Sequence, residues 1–263
     1  MTAAQVDQLA PYEDELLREI ARVASRVSHH ELVRYQLGLE VAGFAGAGTR
    51  TPLRGGCVCL AVADGLGVRR AQAMPVAVAV ELLHSVALIA ADLHLDRDER
   101  NDRAALARVR GVALTLNTLD GMFSLAQVVL ARLPEAGVAP EVAAACLRRF
   151  DASCLAACEG LPAYGTAPEL TLDYAAAFGA PLAAGVASTA LIAGADERCV
   201  DALASYGGAL GALIALTSEA SGFAVNAPDL AAAAVASLDG SGLDDASRSR
   251  LAAIARYLAG GAA

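Results

Sequence analysis

A long apolar run that ends abruptly in acids constrains this chain more than any other feature. The run covers Val76–Ala91, and Asp92, Asp96, Asp98 and Glu99 follow it directly. The chain is 56% hydrophobic, rich in Ala and Leu, and poor in runs that favour strands. Because Ala, Leu, Arg and Glu are strong helix formers, the sequence predicts an all-α fold, a single-domain antiparallel helix bundle.

Helical periodicity and turn signals set out the elements of this bundle. No linker or internal repeat interrupts the chain, so residues 1–263 are predicted to form one domain. Val76–Ala91 and Val112–Leu130 are apolar on nearly all faces, which predicts that they pack side by side in the core, buried on all sides. Pro181 is predicted to kink or break its helix, and residues 98–108 to form a solvated connection. The predicted helices are Pro11–Val27, Glu31–Val41, Cys57–Leu66, Ala71–Arg97, Gly111–Leu133, Glu141–Cys158, Leu170–Gly194, Asp196–Val225, Leu230–Leu238 and Asp244–Ala259.

Charge and composition exclude several classes of function. The net charge of −9, the aromatic content of 4% and the absence of Trp argue against nucleic acid as a partner. All twenty basic residues are Arg, so neither Schiff-base chemistry nor a lysine contact to phosphate is available. The N-terminus lacks the pattern of a signal peptide. A cytoplasmic, reduced protein is therefore expected, with its six cysteines free of disulfides.

One uncharged segment, Tyr174–Ala195, is long enough to span a bilayer. It consists of Ala, Gly, Ser and Thr more than of Leu or Ile, and alanine contributes little to insertion. The composition favours a buried core helix and no membrane span. A membrane-embedded helical protein remains the alternative.

The acids continue the apolar stripe if the helix runs through them. Helical steps of three or four residues place these side chains on one face: His84, Leu88, Asp92, Asp96 and Glu99. Carboxylate oxygens suit Mg²⁺, so Asp92, Asp96 and Glu99 are candidate metal ligands at the mouth of an apolar cavity. The alternative is that Asp96 with Arg100, and Glu99 with Arg103, form ordinary ion pairs on a solvated face.

The same segment resembles a known family. ELLHSVALIAADLHL (81–95) is similar to the first aspartate-rich segment of trans-isoprenyl diphosphate synthases, the polyprenyl synthetases of the class I terpene synthase superfamily. Of the motif's three aspartates Asp92 is in place, while Ala91 and Leu95 replace the others. GVALTLNTLDGMFSLA (111–126) and YGGALGALIALTSEASG (206–222) match later segments of the family.

The resemblance implies an isoprenoid synthase-like bundle with Mg²⁺ as cofactor. It implies that Arg54 and Arg100 bind diphosphate, and that Glu219 is a possible remnant of the second metal-binding motif. This chain departs from the family at the positions of the diphosphate-binding lysine and of two acids of the second motif. Thr51 replaces the lysine, and Ser218 and Gly222 stand among the second-motif positions.

These departures bear on function. The resemblance implies a protein that handles an isoprenoid diphosphate or its product, a repurposed prenyltransferase- or terpene-cyclase-like enzyme with a degenerate metal site. Such a chain is not expected to elongate prenyl chains by itself. The alternative is a catalytically silent subunit that pairs with an active prenyl diphosphate synthase. Cys154 and Cys158 form a CxxxC similar to one in non-catalytic small subunits of plant geranyl diphosphate synthases. A homodimer, or a heteromer with a homologous synthase, is expected.

Overall fold

The computed structural model describes residues 7–27, 30–39, 50–160, 172–218 and 227–260. Within these ranges the chain is all-α apart from one short hairpin, which confirms the predicted fold class. Two-residue strands β1 (Glu99–Arg100) and β2 (Arg103–Ala104) pair antiparallel. The helices are α1 (Ala10–Ala24), α2 (His30–Gln36), α3 (Arg54–Gly65), α4 (Arg70–His94), α5 (Leu106–Leu130), α6 (Pro140–Gly160), α7 (Leu172–Ile192), α8 (Glu197–Ser218), α9 (Ala227–Ser237) and α10 (Asp245–Gly260).

Helix α4 is the central element of the bundle. It packs against α3, α5 and α7, while α7 packs on α8 and α6, and α9 and α10 close the far side. Its side chains from Val76 to Leu83 are buried almost completely, because neighbours cover it on several sides. By contrast α1 has one buried stripe, made by Leu16, Ile20 and Val23, as its alternation of acids, arginines and apolar residues predicts.

Helices α7 and α8 are in backbone contact. A Cβ added to Gly211 would lie 2.3 Å from the Cα of Gly179, and one added to Gly207 would lie 2.8 Å from the carbonyl oxygen of Leu182. Only glycine permits this approach.

The helix α7 also continues through Pro181, so the predicted break does not occur.

The end of α4 differs from the prediction. The helix stops at His94 and not at Arg97, and Asp96 adopts a left-handed φ of 50°. The chain then enters the hairpin, and α5 already begins at Leu106, with a non-helical Gly111 at φ 78° and ψ 162°. The predicted solvated connection is thus a folded hairpin followed by the first turn of a helix.

Helix α5 packs beside α4 as predicted, but it is not buried on all sides. Val112, Leu114, Leu116 and Val128 are between 41% and 57% exposed, and Leu155 on α6 is 66% exposed. Val112 and Leu116 lie one turn apart on one side of α5, and Leu114 lies on another side. We call these five exposed side chains together the α5–α6 apolar face. The prediction of burial on all sides was therefore wrong for α5, because in this chain no element covers its outer side among the described residues.

Three helices of the described part are long and apolar enough to cross a membrane by length and composition. They are Arg70–His94, Leu106–Ala136 and Ala175–Ile192. The first and third are mostly buried inside the bundle, which agrees with the prediction of a core helix near Tyr174–Ala195. In the second, only 33% of the apolar window is buried.

Candidate functional site

The hairpin between α4 and α5 defines the candidate site. Its turn residues Asn101 and Asp102 have φ values of 52° and 59°, a left-handed pair that Asn and Asp tolerate better than most residues. Beyond the turn, Arg103 donates to the carbonyl oxygen of Gln36 at 2.8 Å, and the Tyr35 hydroxyl donates to the Ala104 carbonyl at 2.7 Å. The hairpin is therefore fastened to α2.

Arg100, on the first strand, points back at the end of α4 and binds Asp92. Its Nε donates to both carboxylate oxygens, at 2.8 and 2.9 Å, and its Nη2 donates to Oδ1 at 2.6 Å. Both side chains are only 6% exposed. Charge-assisted hydrogen bonds of this kind are stronger than neutral ones. The negative charge of Asp92 is therefore balanced by Arg100 of the same chain.

The next residue of the hairpin, Asn101, binds Thr51. The Asn101 Nδ2 donates to the Thr51 Oγ1 at 2.8 Å. Thr51 is buried and stands where the resemblance places the diphosphate-binding lysine. Consecutive hairpin residues thus bond to the two positions, Asp92 and Thr51, that the resemblance assigns to metal and to diphosphate.

The other predicted metal ligands lie away from Asp92. Asp96 and Asp98 both pair with Arg108, at 2.7 Å each, and their side chains are 87% and 83% exposed. Glu99 is exposed on the hairpin. Since α4 ends at His94, the predicted single helix face that carried Asp92, Asp96 and Glu99 does not exist. The geometry behind that metal set was therefore wrong.

The donor set in the described residues does not fit Mg²⁺ as it stands. No group of three or more His, Cys, Asp or Glu side chains in that part of the chain is placed to hold a metal ion. Asp92, the one motif aspartate in place, has both oxygens occupied by Arg100. Magnesium binding therefore stays a prediction of the resemblance. Glu219, the possible second-site residue, lies outside the described residues.

Arg54, the other predicted diphosphate ligand, is the first residue of α3. It lines a surface cavity of about 370 Å³ together with Arg50 and Tyr257. Two acids, Asp7 and Glu13, line the same cavity, and Glu13 pairs with Arg50 at 2.6 Å. The cavity thus has a mixed charge.

Two titratable groups of α4, Glu81 and His84, lie deeper in the bundle. Glu81 accepts a hydrogen bond from the Gly56 N–H at 2.6 Å. Burial raises the pKa of Glu81 to about 8 against the lowering effect of that bond. Burial lowers the pKa of His84 to about 4, and the positive charges of Arg100 and Arg54 lower it further.

The predicted apolar cavity beneath the acids is nearly closed where the structure describes it. The space around His84, Phe178 and Ile214 measures about 10 Å³, which is room for about one water molecule. Small-molecule sites usually measure about 300–1,000 Å³. The close approach of α7 and α8 at Gly179 and Gly211 accounts for this packing.

The described residues form an all-α bundle with Asp92 near the end of its central helix, as the resemblance predicts. Comparison with solved structures confirms that fold. The chain is similar to a geranylgeranyl pyrophosphate synthetase from the archaeon Geoglobus acetivorans, with a TM-score of 0.76 and 16% identity over 96% of this chain and 99% of that one.

Two further solved structures have the same fold. A polyprenyl synthetase from Streptomyces coelicolor A3(2) gives a TM-score of 0.72 at 19% identity, covering 95% of this chain and 98% of that chain. A heterotetrameric geranyl pyrophosphate synthase from mint gives 0.69 at 19% identity, with 94% and 98% covered. No family model and no curated protein sequence matches the chain. At such low identities the likeness establishes the fold, that of the trans-isoprenyl diphosphate synthases, and the low identities agree with a diverged chain.

Proposed function

We propose that this protein is a catalytically silent isoprenoid synthase-fold subunit that pairs with an active prenyl diphosphate synthase. The observation that carries the proposal is that one hairpin binds both positions that the resemblance assigns to metal and to diphosphate. Arg100 holds Asp92, and Asn101 holds Thr51. Condensation needs both diphosphates held together with their metals, and in this arrangement neither position is open.

The exposed α5–α6 apolar face supports the pairing half of the proposal. Monomeric proteins rarely expose contiguous apolar patches of large area, and such patches mark interaction sites. Val112 and Leu116 are exposed one turn apart on the same side of one long helix. One solved structure of the same fold is a heterotetrameric geranyl pyrophosphate synthase, so a chain of this fold assembles with an unlike chain in that protein.

Reconstitution with a partner tests this function. The partner is an intact prenyl diphosphate synthase from the same organism, chosen because it carries both aspartate-rich motifs. The two proteins are co-purified, and product length is compared with that of the partner alone. We expect a stable complex and a shifted distribution of product lengths.

A matched pair of variants gives the control. Leu116→Glu on the apolar face is expected to abolish the complex and the shift, whereas Ala232→Glu on the exposed side of α9 leaves both unchanged. Products that are the same with and without this chain would contradict the proposal. So would a complex that both variants leave intact, because the face would then not be the contact.

A further inference from the structure

We infer that the Arg100 guanidinium is the resident cation of the Asp92 carboxylate, and that this position takes no divalent metal. The proposal concerns this chain's own ionic contact. It holds whether or not the protein pairs with a synthase. It also reverses what the resemblance implies for both residues.

The first argument is the occupation of the carboxylate. Mg²⁺ demands near-octahedral coordination by oxygen atoms at about 2.0–2.1 Å. Both oxygens of Asp92 already accept hydrogen bonds from Arg100, three in all, at 2.6 to 2.9 Å. These bonds take three of the about four lone-pair sites of the carboxylate, and the guanidinium charge beside them repels a divalent cation.

The backbone that carries Arg100 is held in place. Arg100 belongs to a hairpin that is bonded to the rest of the protein at its turn and along its second strand. Asn101 bonds to Thr51, Arg103 to the carbonyl of Gln36, and the Tyr35 hydroxyl to Ala104. The Arg103 guanidinium also lies 5.1 Å from the centre of the Tyr35 ring, within the range of a cation–π contact. The backbone of Arg100 is therefore held beside Asp92, so the guanidinium could leave only by a rotamer change of a side chain that is 6% exposed.

Among the described residues, the acids that follow Asp92 on the same segment are held by another side chain. Asp96 and Asp98 are drawn to Arg108 on the solvated side. A single carboxylate in a buried position is a poor site for Mg²⁺, which keeps several waters and needs substrate phosphates to complete its shell. The pair also has a structural consequence, because removing one partner of a buried pair leaves an uncompensated charge.

The test measures metal binding and thermal unfolding of the full chain. Wild-type protein is titrated by calorimetry with Mg²⁺ alone and with Mg²⁺ plus inorganic diphosphate. We expect no binding at Asp92, so that the wild-type and Asp92→Asn proteins give the same titration. A millimolar or tighter Mg²⁺ site that is present in wild type and lost in Asp92→Asn would overturn the inference.

The unfolding arm compares single and double variants. Arg100→Gln is expected to lower the Tm by about 6–20 °C, as removal of one buried partner does in a chain of this size. The double variant Asp92→Asn with Arg100→Gln should lose less than the two single changes added together, because neither charge is then left alone. Arg108→Ala, which removes only exposed pairs, is the matched control and should change the Tm little. Additive losses would show that the two side chains are not paired in solution and would overturn the inference. If Arg100→Gln does not fold, the wild-type titration still decides.

Discussion

The buried carboxyl of Glu81 should make the stability of this protein fall as the pH rises. Glu81 is 1% exposed and lies against the start of α3, where the Gly56 N–H donates to it. Burial raises its pKa from 4.5 to about 8 in the folded protein. Between these two values the folded chain holds a proton that the unfolded chain has released.

The sign and the magnitude of this pH dependence of stability follow from proton linkage. A native state that binds more protons loses stability with rising pH, by about 1.4 kcal/mol per pH unit for one proton. The stabilising contribution is complete below pH 4.5 and is lost as the pH rises to about 8. For a chain of this size such a slope corresponds to about 3–6 °C in Tm per pH unit.

Thermal melts of wild type and Glu81→Gln isolate this group. The Gln variant keeps an oxygen that can accept the Gly56 hydrogen bond, and it carries no titrating proton. We expect the Tm of the variant to rise relative to wild type with increasing pH, and the difference to level off above pH 8. The pKa of His84 is lowered from its ordinary value of 6.5 to about 4, so this group makes stability rise with pH between those values. That contribution is common to both proteins. Glu135→Gln, at an exposed position, is the control. A difference in Tm that does not change with pH would refute the reasoning.

Two further predictions concern packing and assembly. Gly211→Ala places a Cβ 2.3 Å from the Cα of Gly179, so α7 and α8 must separate, and we expect a loss of roughly 1–3 kcal/mol or more in denaturant unfolding. Gly208→Ala, whose Cβ would meet Ala183 at an ordinary 3.8 Å, should be tolerated, and equal losses in both variants would contradict the packing argument. In light scattering the wild-type chain should associate with itself when no partner synthase is present, and Val112→Glu should shift it toward the monomer. A monomeric wild type at every concentration would count against an interface on the α5–α6 apolar face.

Much of the fold follows from the sequence because it depends on local patterns. The apolar stripe of α1 and the long apolar run of α4 each predict a helix within a few residues of its observed bounds. The resemblance carried by Glu81, His84 and Asp92 also predicts the isoprenoid synthase fold that the solved structures confirm.

The site could not be predicted in the same way because it depends on one turn. Extending helical periodicity past His94 placed Asp96 and Glu99 on the face of Asp92. The left-handed conformations of Asp96 and Asn101 reverse the chain instead and bring Arg100 back to Asp92. The Asn101–Asp102 pair was the available signal, since Asn and Asp at adjacent positions favour a tight turn. The exposed side of α5 was also not predicted. The sequence pattern of an apolar helix face is the same whether a neighbouring helix or a partner covers that face.

Incubation of the purified chain with both diphosphate substrates shows whether the protein is catalytically silent on its own. The protein is incubated with isopentenyl diphosphate, an allylic diphosphate and Mg²⁺, and the extracted products are compared with those of a boiled sample. Loss of one well-placed electrostatic group costs about 10²–10³ in rate, and here Thr51 stands in place of a lysine while Arg100 holds Asp92. The account predicts no elongated product above the boiled sample. Elongated prenyl diphosphate formed over many turnovers by this chain alone would contradict it.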